Sequence, residues 1–266
     1  MDDKTRTDKM LSRKDGGVGY VIFNNPERHN AVSLDMWAAT SDILEGFRND
    51  PEVRVVVVTG AGGKAFVSGA DISKFESERS SMDAVKHYNV TVGKANQSVY
   101  EFPKPTIAMI QGYCIGGGLG LALCCDLRIA SDNSKFGVPA AKLGLGYSYP
   151  GLKRLVNIVG PAFAKEIFYT GRQFDASEAR EMGLVNRIVP VAELETYVRT
   201  YADTIASNAP LTLKAVKFIV GETVKDESQR DLARANELVE NCFTSQDYTE
   251  GRRAFMEKRK PKFTGT

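Results

Sequence analysis

The chain has 266 residues, 42% hydrophobic and 26% charged, an ordinary globular composition with enough length for a sizeable core. A formal net charge of +2 excludes any global pull toward nucleic acid or an anionic membrane, so such attraction would have to be local. Cys114, Cys124, Cys125 and Cys242 form no C-x-x-C pair and show no zinc-ligand spacing, so reduced thiols and no metal site are expected.

The opening MDDKTRTDKMLSRKDGG is polar and lacks an apolar core. It reads as a flexible N-terminus over residues 1–15, neither signal nor transit peptide. With no stretch long and apolar enough to span a bilayer, the expectation is a soluble, cytoplasmic protein. Val18–Phe23 alternates as a strand, and Val53–Thr59, with four consecutive valines, reads as a strand covered on both faces. Between them, Leu34, Trp37, Ala38, Ser41 and Leu44 have helical spacing behind a candidate N-cap, Ser33. Strand, helix, strand is the βαβ signal of an α/β protein.

Gly60–Lys64 is a glycine-rich turn, followed by Ala65–Ile72 and a polar stretch, Ser73–Asp83, expected to be a loop or a loose helix start. A helix is predicted over Lys86–Glu101, stopped by Pro103 and Pro105. Thr106–Ile110 is a short buried strand, Gly112–Gly118 a second glycine-rich turn and Leu119–Cys125 a buried helix. Leu127–Ala130 and Ser134–Val138 read as strands. From Gly151 the pattern is helical: Ala162–Thr170, Ser177–Met182, Val191–Ser207, a break at Pro210, then Leu211–Val220, Glu227–Cys242 and Asp247–Lys260. This divides the chain into a core over 16–208 and a helical C-terminal region over 209–266.

Two turns could carry chemistry: Phe66–Ile72 and Gly112–Gly118. The second runs from a strand into a helix, where first-turn N–H groups lack internal partners and can donate to an anion. A second N–H from the other turn would complete an oxyanion hole. Neither turn fits a P-loop or a dinucleotide fingerprint, and on pattern alone a purely structural role is equally open.

Six ordered segments change that balance. They are Asn25-Pro26-Glu27-Arg28-His29-Asn30-Ala31, Ala65–Ile72, Ile110–Asp126 with Phe136-Gly137-Val138-Pro139 and Leu143-Gly144-Leu145, Thr170-Gly171-Arg172, Gly183-Leu184-Val185, and Glu250–Phe255 with Glu257–Lys260. Together, over roughly residues 16 to 263, the sequence resembles the crotonase (enoyl-CoA hydratase/isomerase) family. The resemblance implies a ββα spiral core and a helical C-terminal region that trimerises, with hexamers as dimers of trimers. It implies an acyl-CoA substrate, with coenzyme A present as part of the thioester and no permanently bound cofactor. It also implies that the N–H groups of Ala70 and Gly117 are the oxyanion donors. Ala70, Asp71 and Ile72 would border the CoA nucleotide, and Phe255 and Lys258 would contact the CoA of a neighbouring subunit. Arg28 is a further candidate for a CoA phosphate. The Asp71 side chain reads as a turn carboxylate, and Asp126 as structural.

Hydratases of this family use two glutamates as paired acid and base. By the resemblance, those positions are Gly120 and Ala140 here, and the sequence has no glutamate between Glu101 and Glu166. Ordinary water addition is therefore not expected. Some decarboxylase members lack the glutamates and carry a tyrosine near Tyr147, which makes Tyr147 a candidate proton donor or carboxylate-positioning group, although tyrosines of this kind more often simply pack. His29 and His87 are the only histidines, and no G-x-S-x-G elbow occurs, so a Ser–His–Asp triad is disfavoured. A non-catalytic acyl-CoA-binding protein remains open. The basic cluster Arg252–Lys262 is no wide stripe, so nucleic acid is not an expected partner.

Overall fold

A computed structural model describes residues 7–74, 78 and 80–266. Ten strands form two sheets among these residues. The first is built from β1 (Met10–Asp15), β2 (Val18–Phe23), β3 (Val55–Gly60), β5 (Thr106–Ile110), β7 (Leu127–Ser131) and β10 (Arg187–Val189), in the order β1-β2-β3-β5-β7-β10. The second has the order β4 (Ala65–Val67), β6 (Tyr113–Ile115), β8 (Lys135–Gly137) and β9 (Phe174–Asp175). Strands alternate between the sheets as the chain advances, with β3, β5 and β7 in one and β4, β6 and β8 in the other. Every pairing within these triplets is parallel.

The valine run shows why the first sheet is central. Val56 and Val58 pack into a core shared with Phe66, Leu119 and Phe136, and Val55 and Val57 pack into a second core with Leu194 and Val198. Alternate side chains of one strand thus serve opposite faces. All four valines are fully buried, each contributing about 1.5–3 kcal/mol relative to exposure. The expected two-sided coverage is what the structure shows.

Among the described residues the α-helices are α1 (Leu34–Asn49), α2 (Met82–Tyr100), α3 (Gly117–Ala122), α4 (Tyr149–Thr170), α5 (Ala176–Glu181), α6 (Leu194–Ala206), α7 (Pro210–Thr223), α8 (Leu232–Phe243) and α9 (Gln246–Met256). Helix α4 starts well before the expected Ala162 and bends at Gly160–Pro161, where Gly160 has φ 74°. Helix α5 is capped by Asp175, whose carboxylate accepts from Glu178 N–H at 2.9 Å while Glu178 accepts from Asp175 N–H at 2.9 Å. This capping box moves the start ahead of Ser177.

Residues 10–15, expected within a flexible N-terminus, form β1 instead. Met10 pairs with Phe23 and Asp15 with Val18 across a tight antiparallel hairpin, and Met10 is fully buried. The tight turn at Gly16, with φ 56°, makes this local pairing possible despite the polar sequence. Part of the polar stretch Ser73–Asp83 (residues 75–77 and 79) lies outside the described residues. No helix among the described residues is long and apolar enough to cross a membrane.

Candidate active site

The two turns singled out in the sequence each begin as a short strand. Ala65–Val67 is β4 and Tyr113–Ile115 is β6, and the two are parallel neighbours. Beyond them the backbones continue side by side. A Cβ on Gly69 would lie 3.4 Å from the Ile115 carbonyl oxygen. A Cβ on Gly118 would lie 2.0 Å from the Val67 carbonyl oxygen, so only glycine lets α3 start this close to β4. Gly116 turns the chain from β6 into α3 with φ 56° and ψ −116°, a conformation that side chains strongly disfavour.

On the far side of the first turn runs Val32. Val32 N–H donates to Gly69 O at 2.9 Å and Asp71 N–H donates to Val32 O at 3.0 Å, a parallel bridge centred on Ala70. In such a bridge the central residue's own N–H points away from its partner. The Ala70 amide therefore turns from Val32 toward the flank where Ile115–Gly118 passes. Gly117 is the first residue of α3, whose amide has no intrahelical acceptor. Among the described residues, neither the Ala70 nor the Gly117 N–H has a hydrogen-bond acceptor. Trp37 from α1 lies under Gly117: its Cζ2 would be 3.5 Å from a Gly117 Cβ, and the indole is almost fully buried.

Asp71 sits beneath the turn as expected of a turn carboxylate. It accepts from Ser73 N–H at 3.0 Å, from the Ser73 hydroxyl at 2.7 Å and from Arg28 Nη1 at 3.2 Å. Burial raises its pKa, but the Ser73 hydrogen bonds and the Arg28 guanidinium outweigh it and hold the carboxyl below its ordinary value. Arg28 also donates to Ser73, with its side chain half exposed. Ile72 is 74% exposed. The buried Asp71 carboxylate thus anchors the half-exposed Arg28 beside the exposed Ile72. Asp126 is structural as expected: it accepts from Thr106 N–H at 2.7 Å and from Lys217 at 2.8 Å.

The side-chain half of the site is different. Gly120 lies on α3 one turn after Gly116, and a Cβ there would meet nothing within 4 Å. Ala140 is buried in the turn Pro139–Leu143 that follows β8, and its carbonyl accepts from Leu145 N–H at 3.0 Å. Tyr147 lies on the segment between that turn and α4, its ring edge-on to Phe168 with centroids 4.8 Å apart.

The C-terminal pair departs from the expected geometry. Phe255 is in the last turn of α9 and 83% exposed. Lys258 lies beyond the helix in a left-handed conformation with φ 54°, so the two do not share a helix face. Lys258 N–H donates to Phe255 O and Arg259 N–H to Ala254 O, the pattern of a Schellman-type stop. Arg259 is held by Glu250 at 2.6 and 2.9 Å, which accounts for part of the basic cluster.

Sequence reasoning passed over Asn96 on α2 and Arg154 on α4. Asn96 Oδ1 is buried without a hydrogen-bond partner among the described residues. Its signal was a polar residue beside the core-facing stripe Tyr88, Ala95, Val99.

Comparison with known proteins agrees with this architecture. The family model described as enoyl-CoA hydratase/isomerase matches residues 13–266. The chain is 35% identical over 256 residues to a crotonyl-CoA hydratase of Syntrophomonas wolfei, covering 96% of this chain and 98% of that one. It is 36% identical over 250 residues to an (E)-benzylidenesuccinyl-CoA hydratase of Thauera aromatica, covering 93% and 96%. The crystal structure of an enoyl-CoA hydratase/carnithine racemase from Magnetospirillum magneticum superposes with a TM-score of 0.93 at 36% identity, covering 98% of this chain and 97% of that one. With its alternating two-sheet core and its paired glycine turns, the chain belongs to the enoyl-CoA hydratase/isomerase (crotonase) family.

Proposed function

We propose that this acyl-CoA enzyme polarises the thioester carbonyl of its substrate with the N–H groups of Ala70 and Gly117 and stabilises an enolate there. The observation that carries the reading is a pair of amides on adjoining backbones that have no acceptor among the described residues, one turned away from Val32 and one at the first residue of α3. Negative charge develops on the thioester oxygen as the α-carbon becomes carbanion-like, and fixed dipoles stabilise it without reorganising. Coenzyme A enters as part of the substrate. Ala70, Asp71, Ile72 and Arg28 border its nucleotide, and Phe255 and Lys258 reach the CoA of a second copy in a trimer or hexamer. The wide exposure of Phe255 suits such a contact.

The reaction is one that does not route a proton through positions 120 and 140, because glycine and alanine carry none. Relatives named hydratases therefore give the family but not the chemistry. Loss of CO₂ from a malonyl-type thioester generates the enolate without a base and fits the same amides, and Tyr147 is its candidate proton donor or positioning group. The packing of Tyr147 on Phe168 equally supports a structural role.

A mass-spectrometric panel of enoyl-, hydroxyacyl- and malonyl-type CoA esters tests the proposal. Turnover of a malonyl-type ester with crotonyl-CoA left unhydrated is the expected result. Hydration at rates normal for the family would overturn it, and tight binding without any turnover would make the protein an acyl-CoA binder.

A further inference from the structure

Asn96 of α2 carries a buried carboxamide oxygen that has no hydrogen-bond partner among the described residues. Helix α2 turns Tyr88, Ala95 and Val99 into the core. Ser98, on one flank of that stripe, contacts Ser41 of α1 at 3.3 Å. Gln97 and Tyr100, on the other flank, hold Arg154 of α4: Arg154 Nη2 donates to Gln97 Oε1 at 2.7 Å, and its guanidinium lies 4.4 Å from the Tyr100 ring centroid. Asn96 is next to Gln97 and one turn before Tyr100, so helical spacing puts it on this second flank.

Arg154 also ties that flank to α3. Its Nη1 lies 3.5 Å from Cys124 Sγ, and the Cys124 thiol donates to the Gly120 carbonyl at 3.2 Å. Arg154 thus links the flank of α2 that bears Asn96 to Cys124, one turn after Gly120 on α3, and a Cβ at Gly120 would meet nothing within 4 Å. A buried acceptor left without a partner is costly, and such groups are rare unless a water or ligand meets them. Cys124 contributes no acid-base chemistry here, because burial pushes its thiol up to about 11.

We infer that Asn96 is a specificity-determining residue, whose amide hydrogen-bonds an oxygen substituent (hydroxyl or carboxylate) on the acyl chain of the CoA thioester, beside Gly120. The inference rests on the reading that a CoA thioester binds at Ala70 and Gly117. A primary amide serves either substituent, accepting from a hydroxyl through Oδ1 or donating to a carboxylate through Nδ2. Arg154 forms no ion pair with a carboxylate among the described residues, and it adds a positive charge on the same flank that favours the carboxylate.

The test is a binding titration of butyryl-, 3-hydroxybutyryl- and succinyl-CoA with the intact protein and with Asn96→Leu, a near-isosteric change. The intact protein is expected to bind at least one oxygenated ester about ten-fold more tightly than butyryl-CoA, and Asn96→Leu to abolish that preference. Preference for the hydroxy ester or for the succinyl ester identifies the substituent, and either supports the proposal. Because preference is a ratio within one variant, partial loss of folding cancels, and Asn96→Ala, which also removes the hydrogen-bonding group, gives a second variant should the leucine fail to pack. Equal affinity for all three esters, or a preference surviving both substitutions, overturns the role of Asn96 while leaving the thioester site intact. Failure of the intact protein to bind any of the three overturns the proposed function itself.

Discussion

Two glycines two residues apart on α3 face opposite constraints. At Gly118 a Cβ would lie 2.0 Å from the Val67 carbonyl, whereas at Gly120 it would meet nothing within 4 Å. The first is glycine because backbone must meet backbone, and the resulting approach of α3 to β4 brings the Ala70 and Gly117 amides onto neighbouring strands of chain. The second occupies the position to which the resemblance assigns a hydratase acid, and nothing in the packing demands its smallness. The backbone half is therefore tightly constrained, while space is open at Gly120. On the proposed function, polarisation belongs to the first and the choice of reaction to the second.

The largest effect should come from breaking the backbone half. Gly118→Ala forces α3 and β4 apart, with an expected loss of turnover of more than about 10²-fold and a clear drop in Tm, read by steady-state kinetics and a thermal melt. Gly117→Pro is cleaner. Proline suits the first position of a helix but has no N–H. Turnover should fall by about 10²–10³-fold with CoA-ester affinity largely kept, whereas unchanged turnover would remove Gly117 from the oxyanion hole.

The open half predicts tolerance. Gly120→Glu should fold, with a Tm change of only a few degrees, about the scale of 1 kcal/mol in a chain of this size. Combined with Ala140→Glu, it should raise crotonyl-CoA hydration above the level of the parent protein. No gain in a folded double variant would show that more than two carboxyls separates this site from a hydratase. Tyr147→Phe keeps the ring contact with Phe168. It is expected to slow turnover of a malonyl-type ester if the hydroxyl takes part, and to leave it unchanged if the ring only packs.

The smallest effect concerns the support beneath Ala70. The folded-state pKa of Asp71 lies below its ordinary value. Its contribution to stability is therefore present above the unfolded carboxylate pKa of about 4 and is lost as pH falls through the folded value. Asp71→Asn should lower Tm at neutral pH, and the gap from the parent should close in acid. A gap independent of pH would assign Asp71 a role that needs no charge.

Much of this contrast was legible in the sequence, because it is written in residue types that have few alternatives. Four adjacent β-branched residues favour a strand covered on both faces, and the glycines flanking Ile115 favour a turn into a helix. The absence of glutamate between Glu101 and Glu166 is likewise independent of alignment. What was hidden depends on partners distant in sequence or on turn geometry. Strand β1 looked like a polar tail because its pairing with β2 rests on backbone hydrogen bonds, to which side-chain polarity is blind. Lys258 looked helical because a left-handed stop without glycine leaves no compositional mark. Asn96 and Arg154 gained meaning only when α2, α3 and α4 were brought together.

The central claim is that two backbone amides act on one carbonyl, and infrared spectroscopy of a bound CoA thioester carrying ¹³C at that carbonyl tests it most directly. A shift of the carbonyl stretch to lower frequency on binding, diminished in Gly117→Pro, is the predicted result. A bound thioester whose carbonyl absorbs as it does in water, in a protein confirmed to be folded and saturated, would contradict the account.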